Sequence, residues 1–531
     1  MATEMPTVRE VTIDLLRELG MTTIFGNPGS TELPFLRDLP DDFRYVLALQ
    51  EASALSMAEG YARGTGNAAL VNLHTAPGLG NAMGALVTAY HNKTPLVVTA
   101  GQQHRGHLAL EPLLSGRLVE LARPYVKRSH EPGSAGDVPH ELLRAYHTAR
   151  QQPSGPVFLS IPMDDWEAEA VPPEVREVSY RTAPDPEALR RAAGVLRAAR
   201  RPAIVAGPGV ARSGAFPGVA ALAERLRAEV WQDGVAALAG FPQSHPLFRG
   251  VLPLAQRLVA ETLAPYDAVL VLGAPAFTYY PYLPGPVVRE GTALVQITED
   301  PEEAARAPAG TGIVGDVGLA AGGLLELLPE PERPAPPAPK PPPAPEPSSP
   351  MSVDYVMHTL AGLLPEGAVI ADESTSSKPV LYRRLRADDP LGHLTSAAGG
   401  LGFAMPAAVG LGLALPGRKV VCVIGDGSSM YSIQSLWTAA RYGVGVAVVV
   451  INNRGYSILK SFRDLMGLGP NIPGLELPGI DMVQIARGFG CRGERVEEPE
   501  DLPAALKRAL SSGEPYVVDA LVDTAVPRMA G

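Results

Sequence analysis

The chain is nearly free of cysteine: Cys422 and Cys491 are the only two in 531 residues. They stand 69 positions apart, so no disulfide framework is expected, and the reducing cytoplasm is the expected home. Positive charge is also in short supply. Lysine and arginine number 45 against 56 aspartates and glutamates, a formal net charge of −11. Nucleic acid and anionic membranes both need a basic footprint, so neither is expected as a partner. No apolar run approaches 18 residues, which excludes a membrane-crossing helix. The first twenty residues lack a basic region followed by an apolar run, so no secretory leader is expected.

What is abundant is glycine (55) and proline (54). Together they imply many turns and at least one extended linker. Hydrophobic residues at 46% and charged residues at 19% are ordinary for a globular protein, and the length suggests about three domains. Short apolar runs alternate with helical patterns. Strands are predicted at Ala69–Leu73, Leu96–Ala100, Val157–Ile161, Ala203–Ala206, Ala268–Leu272, Ala293–Ile297, Ala368–Ala371, Val420–Ile424, Val446–Ile451 and Tyr516–Ala520. Helices are predicted at Glu187–Ala199 and Pro217–Ala228. Strands that are apolar at successive positions, separated by helices, predict an α/β fold with parallel sheets covered on both faces. Pro329–Pro350 holds twelve prolines in 22 residues and is expected to be an extended spacer. The expected domains are therefore 1–182, 183–328 and 351–531, with 329–350 as linker.

The most informative stretch follows strand Val420–Ile424, which ends in Gly425-Asp426-Gly427-Ser428-Ser429. The next strand ends in Asn452-Asn453-Arg454-Gly455-Tyr456. Both polar clusters fall at carboxyl ends of strands, where parallel sheets bind ligands. Asp426, the Asn453 amide oxygen and the Gly455 carbonyl could hold Mg²⁺, leaving other positions for phosphate oxygens. Glycine lets backbone N–H groups approach a diphosphate. Asp-Gly is also a common turn, so two structural turns remain the alternative.

This pattern is similar to that of thiamine diphosphate enzymes. Six further stretches resemble the benzoylformate decarboxylases among them: FGNPGSTELPFL (25–36), LALQEA (47–52), NLHTAPGLGNAMGAL (72–86), VTAGQQ (98–103), AAGGLGFAMPAA (397–408) and SLWTAA (435–440). The resemblance covers nearly the whole chain outside the linker. It implies a thiamine diphosphate-binding fold in which the first domain holds the aminopyrimidine and the last the diphosphate and Mg²⁺. It also implies a cofactor lying between two subunits, so a dimer is the minimum and a tetramer is expected.

Residue by residue, Glu51 opens a helix after a strand-like run, among Ala, Leu and Met that predict burial. Alone it reads as a solvent-facing first-turn acid. The resemblance makes it the partner of the aminopyrimidine, driving formation of the ylid. His74 closes strand Ala69–Leu73 before a glycine-rich loop. Ser30 reads as a helix N-cap before Glu32. The resemblance places His74 and Ser30 beside the substrate, and Thr375, Ser376, Gly427, Ser428 and Tyr456 near the cofactor. Gly399 matches the residue whose carbonyl holds the cofactor amino group. Leu401 matches the residue that props the cofactor into its bent form; core packing is its ordinary reading. Gly78–Gly84 resembles a dinucleotide loop, but the following strand ends in Val98-Thr99-Ala100-Gly101-Gln102 without the acid that a ribose needs.

Two departures stand out. Tyr280, after Gly273-Ala274-Pro275-Ala276-Phe277-Thr278-Tyr279, occupies the place of an expected second active-site histidine. Ile458, with Phe462 and Leu475, matches substrate-facing positions, and Ile458 replaces a small residue. The expected activity is decarboxylation of an aryl 2-oxo acid such as benzoylformate to an aldehyde and CO₂, through ylid and enamine. Joining of aldehydes to hydroxyketones is the alternative, and a non-catalytic relative a further one.

Overall fold

The computed structural model describes residues 5–527, so residues 1–4 of the stretch read for a leader lie outside it. Three six-stranded, wholly parallel sheets follow one another along the chain. The first runs, edge to edge, Arg44–Leu47, Thr23–Gly26, Ala69–Leu73, Leu96–Gln102, Val157–Pro162, Ser129–His130. The second runs Thr311–Val314, Ala293–Thr298, Ala268–Leu272, Pro202–Ala206, Glu229–Gln232, Phe248–Val251. The third runs His393–Thr395, Val369–Glu373, Val420–Gly425, Ala447–Asn452, Tyr516–Leu521, Arg492–Val496. The central strands are buried along their length because helices cover both faces. The predicted α/β class is what the chain adopts.

The first and third sheets are joined by two helices that cross at backbone contact. In helix Glu51–Thr65, a Cβ on Gly60 would collide with the Ala407 carbonyl. In helix Ala404–Ala414, a Cβ on Gly410 would collide with the Met57 carbonyl. Only glycine permits this approach, and the apolar side chains of both units merge into one core around it.

Three consecutive residues, Asn92-Lys93-Thr94, touch all three units. Asn92 accepts from the Ala397 N–H at 2.8 Å and donates to buried Glu59. Lys93 pairs with Asp300 at 2.8 Å and Glu303 at 2.6 Å on the second unit. Thr94 donates to Glu59 at 2.9 Å.

Residues 329–350 form no helix or strand. A polyproline backbone makes no internal hydrogen bonds, so its carbonyls are free to accept. Arginines of two units take them. Arg249 donates to Pro337 at 2.9 Å, Arg227 to Arg333, and Arg384 to Pro343 at 2.7 Å.

Candidate active site

Two clusters lie at carboxyl ends of strands. In the first, His74 follows strand Ala69–Leu73 and precedes helix Thr75–His91. Its Nδ1 lies 2.8 Å from Glu32 Oε2 and 3.2 Å from Thr31 Oγ1. The ring lies against Gly29, where any Cβ would overlap it. The neighbouring Thr75 adopts φ +47°, rare for a β-branched residue and a form of strain that gathers at functional sites. Ser30 is exposed in a turn and is not the N-cap. The helix Leu33–Leu36 starts from Glu32 instead, whose carboxylate accepts from the Gly29 N–H and contacts His74. Sequence reasoning missed Glu32 as a site residue. Its partners Gly101 and His74 are 69 and 42 positions away, and no local spacing signals them.

Glu51 opens its helix behind a Gln50 cap, whose side chain accepts from the Ser53 N–H at 3.1 Å. Its carboxylate is half-buried rather than enclosed as predicted, because the first turn faces the open carboxyl edge of the sheet. It accepts from Asn81 Nδ2 at 3.1 Å. Glu51 and His74 converge on Gly78. A Cβ there would stand 3.4 Å from Glu51 Oε1 and 3.5 Å from His74 Cβ. Gly78 itself lies within the helix, not in a phosphate loop.

The second cluster sits on the third sheet. Gly425 pairs with Ile451, so Asp426 and Asn453 emerge from adjacent strand ends. Asp426 is buried, and burial pushes its carboxyl up to about 6, held back by the N–H groups of Gly427 and Gly455. The two asparagines divide their work. Asn452 is consumed locally, donating to Asp519 at 2.8 Å and accepting from the Arg454 N–H. Asn453 Oδ1 is sealed from solvent without a partner. A Cβ on Gly427 would meet the Tyr456 ring, and one on Gly402 would stand 3.2 Å from Tyr431 Cβ. Gly399 has φ +70° and Leu401 is half-buried, so neither is ordinary core. Thr375 and Ser376 are half-buried just beyond strand Val369–Glu373, and Ser428 is buried beside Asp426.

Beside this cluster the second unit meets the third. Tyr280, from the second unit, stacks at a tilt on Phe462 of helix Ser457–Leu465, ring centroids 5.0 Å apart. Tyr280 remains 58% exposed and Ile458 is half-buried. The Leu475 side chain is buried, and its carbonyl accepts from the Tyr456 N–H at 2.9 Å. That bond braces the turn that carries Gly455 and Tyr456.

Within one chain the two clusters stand apart. The Gly399–Leu401 turn belongs with Asp426, and a Cβ on Gly400 would lie 3.7 Å from Thr88 Oγ1. Thr88 is fourteen residues along its helix from His74, about 20 Å at helical rise.

Comparison with known proteins now adds a decisive observation. Residues 6–118 match the thiamine pyrophosphate enzyme N-terminal TPP binding domain, 189–324 its central domain and 375–520 its C-terminal TPP binding domain. The chain belongs to the thiamine pyrophosphate enzyme family. It is 42% identical to a benzoylformate decarboxylase of Pseudomonas aeruginosa, over 98% of this chain and 100% of that protein. The crystal structure of benzoylformate decarboxylase from Polynucleobacter necessarius matches with TM-score 0.96 and 41% identity, covering 99% and 100% of the two chains. A thiamine diphosphate-dependent 4-hydroxybenzoylformate decarboxylase of Rhodococcus jostii matches with TM-score 0.94 and 42% identity, covering 98% and 100%.

The second cluster of this thiamine pyrophosphate enzyme fits the diphosphate end of such a cofactor with its cation. Among the described residues no three His, Cys, Asp or Glu side chains gather around a metal position. A hard cation here would draw on one carboxylate, an amide oxygen and a carbonyl, with ligand phosphates completing its shell. An orphaned buried amide oxygen beside a carboxylate whose charge is penalised by burial is the donor set such a cation satisfies.

Proposed function

We propose that the protein is a thiamine diphosphate- and Mg²⁺-dependent decarboxylase of aryl 2-oxo acids such as benzoylformate, releasing the aldehyde and CO₂. One observation carries this reading: full-length likeness to enzymes named for benzoylformate and its 4-hydroxy derivative, in a chain that has Glu51, His74, Asp426 and Asn453 at strand and helix ends. When bound, the cofactor supplies the nucleophilic carbon and the electron sink for loss of CO₂. Asp426, Asn453 and the Gly455 carbonyl hold Mg²⁺, with Gly427 and Ser428 against the diphosphate and Thr375, Ser376 and Tyr456 around it. Glu51 would hydrogen-bond the aminopyrimidine, the Gly399 carbonyl would accept from its amino group, and Leu401 would pack against the bound cofactor. Ser30 and His74 bind the substrate carboxylate and handle its proton traffic, and Tyr280, Phe462 and Ile458 border the aryl group.

The separation of the two clusters along helix Thr75–His91 supports a homo-oligomer in which each site is completed by a second copy, with a dimer as the minimum and a tetramer expected. No described helix is long and apolar enough to cross a membrane. We place the enzyme in the cytoplasm on its low cysteine content.

The test is a panel of aryl and alkyl 2-oxo acids with thiamine diphosphate and Mg²⁺, measuring CO₂ and aldehyde separately. Benzoylformate should lead the panel, with 4-hydroxybenzoylformate close behind. Absence of CO₂ release from every aryl member would refute the reading.

A further inference from the structure

Behind His74 lies a carboxylate that is 1% exposed, Glu32. Four donors converge on it. The Gly29 N–H reaches Oε2 at 2.8 Å, and the Gly101 N–H and Thr31 hydroxyl reach Oε1 at 3.0 and 2.7 Å. The fourth contact is His74 Nδ1 at 2.8 Å from Oε2. Two backbone N–H groups and a hydroxyl thus donate to the two oxygens of a buried carboxylate. A carboxylate can only accept, so the proton of the fourth contact belongs to His74 Nδ1. Thr31 Oγ1, having donated to Glu32, accepts a second share of that N–H at 3.2 Å. Nε2 makes no hydrogen bond among the described residues. The other ionisable groups facing the pair are Tyr45, whose phenol burial and Glu32 push up, and Glu51 across Gly78.

We propose that Glu32 is the positioning residue of His74. It keeps the proton on Nδ1 and fixes the ring against Gly29, so that Nε2 alone meets the substrate. In that tautomer Nε2 takes up or gives back a proton while the Nδ1 proton never leaves the ring. The arrangement uses the logic of a carboxylate that orients a catalytic imidazole without exchanging its own proton. The kinetic consequence rests on the decarboxylase reading; the tautomer does not.

Glutamine is the informative replacement. Its amide oxygen can serve one pair of donors, but its NH₂ then faces the other pair, which are also donors. With the NH₂ toward His74, the imidazole must carry its proton on Nε2 and the Gly29 N–H loses its acceptor; with the NH₂ the other way, the Gly101 N–H loses its own. The experiment has two arms. In the first, ¹⁵N NMR of the imidazoles in the cofactor-free protein, assigned with His74→Ala, should show His74 protonated at Nδ1. In Glu32→Gln the signal should shift toward Nε2 protonation, and in Glu32→Asp it should not. An Nε2–H tautomer in the unsubstituted chain overturns the proposal. The second arm is kinetic. Glu32→Gln should lower kcat on benzoylformate by about 10²-fold. KM and thiamine diphosphate affinity should hold, and Glu32→Asp should recover part of the rate. The Glu32→Gln, His74→Ala double variant should be no slower than His74→Ala alone. Multiplying losses in the double variant, or loss of cofactor affinity in Glu32→Gln, overturns positioning. A chain that decarboxylates no aryl 2-oxo acid refutes the functional reading instead, and the NMR arm still decides the tautomer.

Discussion

Asp426, the proposed cation ligand, opposes folding when it is ionised. Its folded-state carboxyl lies at about 6, above its ordinary value, with burial as the first cause. A raised acid contributes full stability below its ordinary value and loses it as pH rises through 6, so at neutral pH the ionised group is a net cost. Asp426→Asn should therefore raise the Tm of the cofactor-free chain at pH 7, while tight-binding titration should show lost retention of thiamine diphosphate with Mg²⁺. Tyr280 makes a second residue-scale prediction. A phenol is a weaker proton relay than an imidazole. Its ring rests on Phe462 of the third unit, in the region proposed above to border the aryl group. Tyr280→His should raise free aldehyde relative to hydroxyketone, measured with a 2-oxo acid and excess acceptor aldehyde. An unchanged ratio would remove Tyr280 from proton delivery. The placement of Asp426 and Asn453 at adjacent strand ends was legible because each is announced by a strand and a turn. Glu32 was not, since only the folded sheet brings Gly101 to it.

At the scale of elements, the crossing of helices Glu51–Thr65 and Ala404–Ala414 is the least forgiving contact. Gly60→Ala places a methyl group into the Ala407 carbonyl, and the backbones must part. Overpacking of this kind costs about 1–3 kcal/mol, so Tm should fall by a few degrees in a calorimeter. Because Glu51 starts the displaced helix, cofactor affinity should fall with it. Secondary structure was legible where strands are central. Ala69–Leu73 and Ala268–Leu272 matched residue for residue, since burial on both faces writes a continuous apolar run. The strands missed lie at sheet edges or next to them. Ser129–His130 spans two residues, Thr311–Val314 is mostly exposed, and Arg492–Val496 mixes charge with its apolar residues. Their pairing partner makes them strands; their composition does not.

On the scale of the whole molecule, Asn92-Lys93-Thr94 couples the three sheets, so heat should unfold them in one transition, not three. Acid should act through His393, an edge-strand histidine that is 3% exposed with neither ring nitrogen hydrogen-bonded. Burial pushes it down to about 4. A folded value below the ordinary 6.5 means the unfolded chain binds the extra proton first, so stability is complete above about 6.5 and drains as pH falls toward 4. His393→Leu should flatten that decline, by up to about 3 kcal/mol between the two limits, in denaturant titrations at stepped pH.

The arginine-gripped linker bears on how the chain survives digestion. Open surface segments are where proteases nick a folded protein, and residues 329–350 are largely exposed. Yet trypsin cleaves after lysine or arginine and stalls when proline follows. The segment contains two basic residues, and they stand in Arg333-Pro334 and Lys340-Pro341. Brief trypsin treatment should leave the join between the second and third sheets uncut on a gel, whereas an enzyme that cleaves after alanine should release two large fragments.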